Sequence, residues 1–498
     1  MARRAPTTLP IYLDRVRGPL HEQIYDDIRR AIAAGVLRPH TRIASSRALA
    51  ADLAGSRTTA QLALDKLAAE GYLVARRGSG TFVAERPPDA AVEAPAPAAA
   101  PPRTRPLLSR RGALLAGVRR VVRPRISGPP RAFRLGTPAL EAFPIATWSR
   151  LASRRLAAIT ARDLDYSGGA GLRALREAIA EHIRTARGAR CDARQVYIVN
   201  SAQRGLELVC RLLLDAGDAA AVEDPGYPGV WSALASAGVR VVPVPVDPAG
   251  LDIEALAARR GVRLVYVTPS HQFPLGVRMT LARRRALVAW AAANAGWIIE
   301  DDYDSEFRFD AGPLPCLQGL DALGRVIYIG TFSKSVFPAL RIGFVIAPPD
   351  LHDHLVAVRL AQGDPQPPFL QQGILADFIA QGHFARHLRR MHALYAERLG
   401  ALEDGARRWC GGLLALRPTR TGLHAVGELL DGIEGDRVCD EAARRGLELA
   451  SISDYTLRAG ARTSAIVLGF GCVAPASLDH AMQELASAIE AARRTRAA

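Results

Sequence analysis

Apolar residues fall four apart at Leu20, Ile24, Ile28 and Ile32 in PLHEQIYDDIRRAIAA, residues 19–34, with polar residues between them. That spacing predicts an amphipathic helix. Ser45 and Ser46 precede RALAADLA, a cap followed by a short helix, and Gly55 with Ser56 stops the chain and restarts it as RTTAQLALDKLAAEG. After Gly71, YLVARRGSGTFVAE alternates around RRGSG, which predicts two strands with a turn at residues 78–80. Three helices and a hairpin make one small α+β unit.

The rhythm changes beyond residue 133. LDYSGGAGLRALREAIAEHI, QVYIVNSAQRGLELVCRLL, AAAVEDPGYPGVWSAL, VRLVYVTPSHQFPLG and WIIEDDYDSEFRF alternate β-rich runs with helical ones. This predicts an α/β architecture on a mostly parallel sheet. Between the two patterns runs PPDAAVEAPAPAAAPPRTRPLLSR, rich in Pro and Ala with little to bury. The expected organisation is a small domain at 12–86, a linker at 87–132 and a large domain at 133–490, the last ending in a smaller α+β subdomain.

Composition narrows the partners. The 498 residues are 49% hydrophobic, enough for more than one core, and carry a formal net charge of +16 with a pI near 10.2. An anionic partner such as nucleic acid is expected. Six cysteines, none in the small unit, lack the cadence of metal ligands, so neither a disulfide scaffold nor a metal site is expected. No long apolar segment stands at the amino terminus or later, so a cytoplasmic protein with no membrane partner is expected. Between residues 91 and 131 nine arginines face one acid, Glu93. That stretch is either a solvated charged tether or a second contact to the DNA backbone.

A three-helix unit could bind a protein. Arg57, Thr58, Thr59 and Gln61, however, open the third helix with donors suited to phosphates and base edges, and Arg76 and Arg77 occupy the hairpin. From Pro19 to Glu85 the segment resembles the winged helix-turn-helix of GntR-type transcription regulators. The resemblance implies that Arg47 and Arg57 contact double-stranded operator DNA, that Ser45, Ser46, Ser56 and Thr59 support backbone contacts, and that Gly80 sits in the wing. Two departures are visible: His40 stands where the family has glycine, and Ala44 where it has proline.

The chain contains two lysines, Lys66 and Lys334, among many arginines. Codon preference could leave a lysine by accident, but the surroundings of Lys334 suggest chemistry. Residues 326–330 form a strand-like apolar run, Thr331 to Ser333 a short polar turn, and Pro338 limits how far any regular element continues beyond the lysine. A lysine at the carboxyl end of a buried strand lies where open α/β folds bind ligands. A primary amine there can condense with an aldehyde, which a guanidinium cannot do. If the strands share one sheet, Ser201 to Gln203, Tyr227, Asp301 to Tyr303, Thr331 to Lys334 and Arg341 converge. An amine for an aldehyde, a carboxylate for a pyridinium, an aromatic face and hydroxyls with a guanidinium for a phosphate all suit pyridoxal 5'-phosphate.

This half resembles the fold-type I aminotransferases, and in local wording their regulatory branch, called MocR. The resemblance implies that Lys334 bonds to the cofactor aldehyde, Asp301 pairs with the ring nitrogen, Tyr303 hydrogen-bonds the phenolic oxygen and Tyr227 stacks on the ring. Ala202, Gln203, Thr331, Ser333 and Arg341 would surround the phosphate, and Tyr166 would reach it from the other subunit of a homodimer. Catalytic relatives carry asparagine where SHQFPLG has Phe273, and a substrate-carboxylate arginine where IVLGF has Val467. Arg458 or Arg462 could approach from the preceding loop. Ser201 replaces a small glycine before the phosphate turn. The expected protein is a transcription regulator that binds pyridoxal phosphate and senses it or an amino compound as effector, not an enzyme. The alternative is an active aminotransferase carrying a DNA-binding domain.

Overall fold

The computed structural model describes residues 18–76, 78–88, 108–109, 111–113, 129–165, 169–309, 315–363, 367–457 and 463–497. The chain forms two compact units, residues 1–107 and 108–498.

In the first unit, Leu20–Ala33 (α1), Ser46–Asp52 (α2) and Arg57–Ala69 (α3) are helices. The four-residue spacing read in the sequence buries Ile24, Ile28 and Ile32 in one cluster with Ala60, Ala63, Leu64 and Leu67 of α3. Each such fully buried Ile or Leu contributes about 1.5–3 kcal/mol. The Ser45 hydroxyl accepts from Ala48 N at 3.2 Å and the Ser56 hydroxyl from Thr59 N at 3.1 Å, capping α2 and α3. Each cap is worth about 1 kcal/mol. The hairpin is Leu73–Arg76 (β2) and Gly80–Val83 (β3), and it gains a third strand, Arg42–Ile43 (β1), in the order β1-β3-β2.

The second unit is built on Val196–Val199 (β4), Ala219–Asp224 (β5), Arg240–Asp247 (β6), Gly250–Leu251 (β7), Val262–Val267 (β8), Trp297–Asp302 (β9), Val326–Thr331 (β10) and Gly343–Ile346 (β11). Among the described residues these form an eight-stranded sheet in the order β4-β11-β10-β9-β8-β5-β6-β7. The pairs β6–β5, β5–β8, β8–β9 and β9–β10 are parallel, whereas β11 runs antiparallel to both β10 and β4. Strands β4, β5, β10 and β11 are buried at every position, as a sheet covered on both faces requires. A four-stranded antiparallel sheet follows, Leu414–Leu416 (β12), His424–Leu429 (β13), Ala450–Ser451 (β14) and Ala465–Gly469 (β15), in the order β12-β13-β15-β14. Leu468 of β15 shares a second core with Leu402 of the helix His383–Trp409 and Met482 of the helix Pro475–Ala497. This is the expected smaller C-terminal α+β part.

The six cysteines are buried as thiols. Among the described residues no helix is long and apolar enough to cross a membrane.

Candidate functional site

Two neighbouring parallel strands lead to the two groups singled out in the sequence, Asp301 and Lys334. Asp301 of β9 lies opposite Ile329 of β10, and β10 ends at Thr331, three residues before Lys334. Lys334 is half-buried, and its Nζ donates to the Gly136 carbonyl oxygen at 2.5 Å. Gly136 has φ of +65°, which favours glycine, and a Cβ there would stand 2.5 Å from that nitrogen, so any larger residue would have to push the lysine end aside.

Asp301 is buried, and its Oδ2 accepts from the Tyr266 hydroxyl at 2.6 Å. Its Oδ1 is buried with no hydrogen-bond partner. Burial pushes the carboxyl up to about 7, with Asp302 and Asp304 adding to the shift and the Tyr266 hydrogen bond and Lys334 opposing it. The next residue behaves differently because side chains alternate along a strand. Asp302 accepts from Arg187 Nε at 2.9 Å and from the Tyr328 hydroxyl at 2.6 Å. Burial works to raise this carboxyl too, but the Arg187 guanidinium, with hydrogen bonds from Ser305 and Tyr328, outweighs it and holds the group below its ordinary value.

Tyr227 precedes the helix Pro228–Ala237, and its ring stacks on Tyr266 with centroids 6.4 Å apart and planes at 26°. Its hydroxyl donates to Gln203 Oε1 at 3.4 Å, while Gln203 Nε2 donates to the Gly229 carbonyl at 3.0 Å. Burial, then Asp301, pushes the Tyr227 hydroxyl up to about 12, so it stays protonated at neutral pH. Ala202 and Gln203 open the helix Ala202–Leu213, where backbone N–H groups lack carbonyl partners within the helix. Ser201, which replaces the family's small glycine, is the cap of this helix: the hydroxyl accepts from Arg204 N at 3.2 Å. Gly343 lies opposite both Thr331 and Val199, and a Cβ there would come within 2.8 Å of Ala202 N. Glycine therefore lets the end of β10, the start of β11 and the helix start meet. Thr331 and Ser333 are hydrogen-bonded through their hydroxyls at 3.0 Å, and Arg341, exposed with φ of +55°, stands two residues before Gly343.

Beside Tyr303 lies a buried cluster whose partners spacing alone does not disclose. The Tyr303 hydroxyl is 3.0 Å from His271 Nδ1, which is also 3.1 and 2.9 Å from the two Asp304 carboxylate oxygens. His424 packs on His271 with ring centroids 4.6 Å apart, and its Nε2 is 3.1 Å from the Pro274 carbonyl. Phe273 stands edge-on to Tyr227, Tyr303 and Tyr455, and it shares an apolar cluster with Val467 and Val426. The two positions that depart from the catalytic pattern thus fill one apolar patch. A cavity of about 280 Å³ borders Arg187, Glu306, Arg308 and His392, and Lys334 does not line it.

The structure brings together Lys334, Asp301, Tyr303, Tyr227, Ala202, Gln203, Thr331, Ser333 and Arg341. Tyr166, Arg458 and Arg462 lie outside the described residues. Sequence reasoning missed Tyr266, Gly136, His271 and Asp304, although His271 stands only two residues before Phe273. In the first unit, Arg47 is the second residue of α2 and Arg57 the first of α3, and both are exposed. Ser45, Ser46, Ser56 and Thr59 lie at the same two helix starts, so Ser45 and Ser56 serve as caps whatever else they touch. Arg76 lies 5.2 Å from the centre of the Phe82 ring, and Gly80 begins β3. Arg77 lies outside the described residues.

Residues 20–83 match the family of bacterial regulatory proteins of the gntR type, and residues 140–399 match aminotransferase class I and II. Over 473 residues the chain is 40% identical to the probable rhizopine catabolism regulatory protein MocR of Rhizobium meliloti, covering 94% of each. The chain belongs to the MocR-type branch of the GntR family. The HTH-type pyridoxine biosynthesis transcriptional regulator PdxR of Corynebacterium glutamicum is 35% identical, with 94% of this chain and 95% of that protein covered. Among solved structures, LysN, the alpha-aminoadipate aminotransferase of Thermus thermophilus, is 27% identical. Its TM-score is 0.66, and 73% of this chain and 92% of that one are covered. A MocR-type protein is a transcription regulator that joins a DNA-binding winged helix to an aminotransferase-like fold. This chain has both parts in that order.

Proposed function

We propose that this regulator holds pyridoxal 5'-phosphate at Lys334 and changes its grip on operator DNA when the cofactor, or an amino compound that condenses with it, occupies the second unit. The observation that carries this is Asp301. Its Oδ1 is a buried acceptor without a partner, on the strand beside the one that leads to the lysine. A protonated ring nitrogen would supply the missing donor and favour the ionised carboxylate that burial opposes. The rest of the site fits the same group. Tyr227 offers a ring face, Tyr303 a hydroxyl, and the start of the helix Ala202–Leu213 with Thr331, Ser333 and Arg341 offers donors to a phosphate. When bound, the cofactor supplies an aldehyde for the amine and an electron-withdrawing ring. The chain's own residues bind it, orient it and keep it from water.

Sustained transamination is not part of this proposal. The patch holding Phe273 and Val467 offers a substrate carboxylate no charge at either position. We assign the chain a sensing role, and a homodimer with Tyr166 completing the partner's site. The test combines absorption spectroscopy with DNA binding: purified chain is titrated with cofactor, then with a panel of amines, with and without operator DNA. A visible band of lysine-bound cofactor whose appearance or shift tracks operator affinity supports the proposal. Operator binding indifferent to cofactor and to every amine sinks it.

A further inference from the structure

Resting on that reading of the Lys334 site, we propose that His271 and Asp304 form a hydrogen-bonded pair that positions Tyr303 and sets how strongly its hydroxyl donates to a ligand oxygen. Neither residue is among those through which the site was recognised. Both are almost fully buried, at 1% and 2% exposure.

The hydrogen-bond count around one nitrogen decides the arrangement. His271 Nδ1 is 2.9 and 3.1 Å from the Asp304 oxygens and 3.0 Å from the Tyr303 oxygen. A ring nitrogen has either one hydrogen or one lone pair to offer. With a lone pair, Nδ1 would face a carboxylate acceptor to acceptor. With a hydrogen, it donates to Asp304, and the Tyr303 oxygen accepts from the other side of the same N–H. His271 Nε2 is buried with no hydrogen-bond partner. The Tyr303 hydrogen is consequently not consumed by the imidazole and is left for a ligand. Burial, with Asp304, Asp301, Glu223 and Asp302 around it, raises the Tyr303 hydroxyl well above its ordinary value, so the hydrogen is retained across the working range.

His424 also faces the pair. Stacked against His271, it is held well below its ordinary value chiefly by burial and brings no competing charge. His271, Asp304 and His424 also have the donor types of a divalent-cation site, their ligand atoms all within 4.8 Å of one another. A cation bound by all three would have to displace the hydrogen that His271 gives to Asp304 and break the contact with Tyr303. A shared hydrogen is the better occupant of that position.

The test uses the full chain loaded with cofactor and reads the pH midpoint of its visible band. A hydrogen bond donated to the phenolic oxygen draws negative charge from it and lowers the proton affinity of the neighbouring nitrogen. Tyr303→Phe should raise the midpoint by about one pH unit. His271→Gln and Asp304→Asn should each raise it by a smaller amount, and the double variant Tyr303→Phe with His271→Gln should match Tyr303→Phe alone. Unmoved midpoints in both single variants, or shifts that add in the double variant, overturn the inference. If His271→Gln fails to fold, Asp304→Asn, which preserves size, decides on the same criterion. Loss of the near-ultraviolet dichroism in both gives the pair a purely structural role and overturns it too. A wild-type chain with no band overturns the reading of the site and this inference with it, whereas a titrating wild type with unmoved variants overturns this inference alone.

Discussion

The Lys334 amine donates to the Gly136 carbonyl, 198 residues earlier in the chain, across a distance of 2.5 Å. Lys334→Ala is expected to lose the visible band of lysine-bound cofactor while retaining far-ultraviolet dichroism. Gly136→Ala should cost about 1–2 kcal/mol of stability from its left-handed backbone and should displace the Lys334 amine from the Gly136 carbonyl. Absorption spectra and urea melts of the two variants check both. A wild-type spectrum in Lys334→Ala removes the lysine from its role.

Asp301 predicts a pH dependence of the cofactor-free protein. Its folded value, about 7, lies above the ordinary 3.8, so the folded state binds the proton more tightly than the unfolded state. The stability this lends is complete below the unfolded value and is lost as pH rises from about 4 through 7. A displacement of that size corresponds to on the order of 4 kcal/mol. Glu223, pushed up to about 7 by burial, has the same sign. Cofactor-free wild type should therefore weaken between pH 5 and pH 8, and Asp301→Asn should weaken less, as measured by urea midpoints. Equal slopes in the two proteins would place the proton elsewhere.

Added amino acid and keto acid should give no sustained turnover, or rates orders of magnitude below the ordinary ~1 to 10³ per second. The basis is the apolar cluster joining Phe273 to Val467. Steady-state assays with common amino donors check this, and a rate within the ordinary range makes the chain an enzyme.

For DNA, Arg57→Ala should cost about 1–3 kcal/mol of operator affinity and relax base preference at one position. Replacing the arginines between 103 and 125 by glutamine should weaken operator and random DNA alike and flatten the dependence of log affinity on log salt. Binding to both DNAs across a salt series separates the two effects. An unchanged slope returns those arginines to the role of a solvated tether.

The small unit was largely legible, because its helices announce themselves by four-residue spacing and by serine caps. Strand β1 was not: two residues are too few to alternate, and its place is set by pairing with β3. His40 stands where glycine is usual in the family, and it has φ of +65°, with its amide donating to the Val83 carbonyl at 3.0 Å. Lys334 and Asp301 stood out as candidates because an amine for an aldehyde and a carboxylate for a ring nitrogen restrict residue type, and Tyr303 stood out through the family resemblance. Tyr266 did not, since it reaches Asp301 from the adjacent strand, opposite Ile299, and no spacing along the chain encodes that register. His271 and Asp304 meet across 33 residues by folding alone.

Strand β9 works as an insulating wall one peptide thick. Asp301 faces the lysine with one oxygen unpartnered, while Asp302 is clamped by Arg187 and Tyr328 in a separate set of contacts. Removing the first carboxylate takes away a buried acceptor, and removing the second strands a buried cation, which is far more damaging to the fold. Because the two carboxylates keep separate partners, substitutions around Asp301 can change what the lysine side holds while the Arg187 side keeps the body folded.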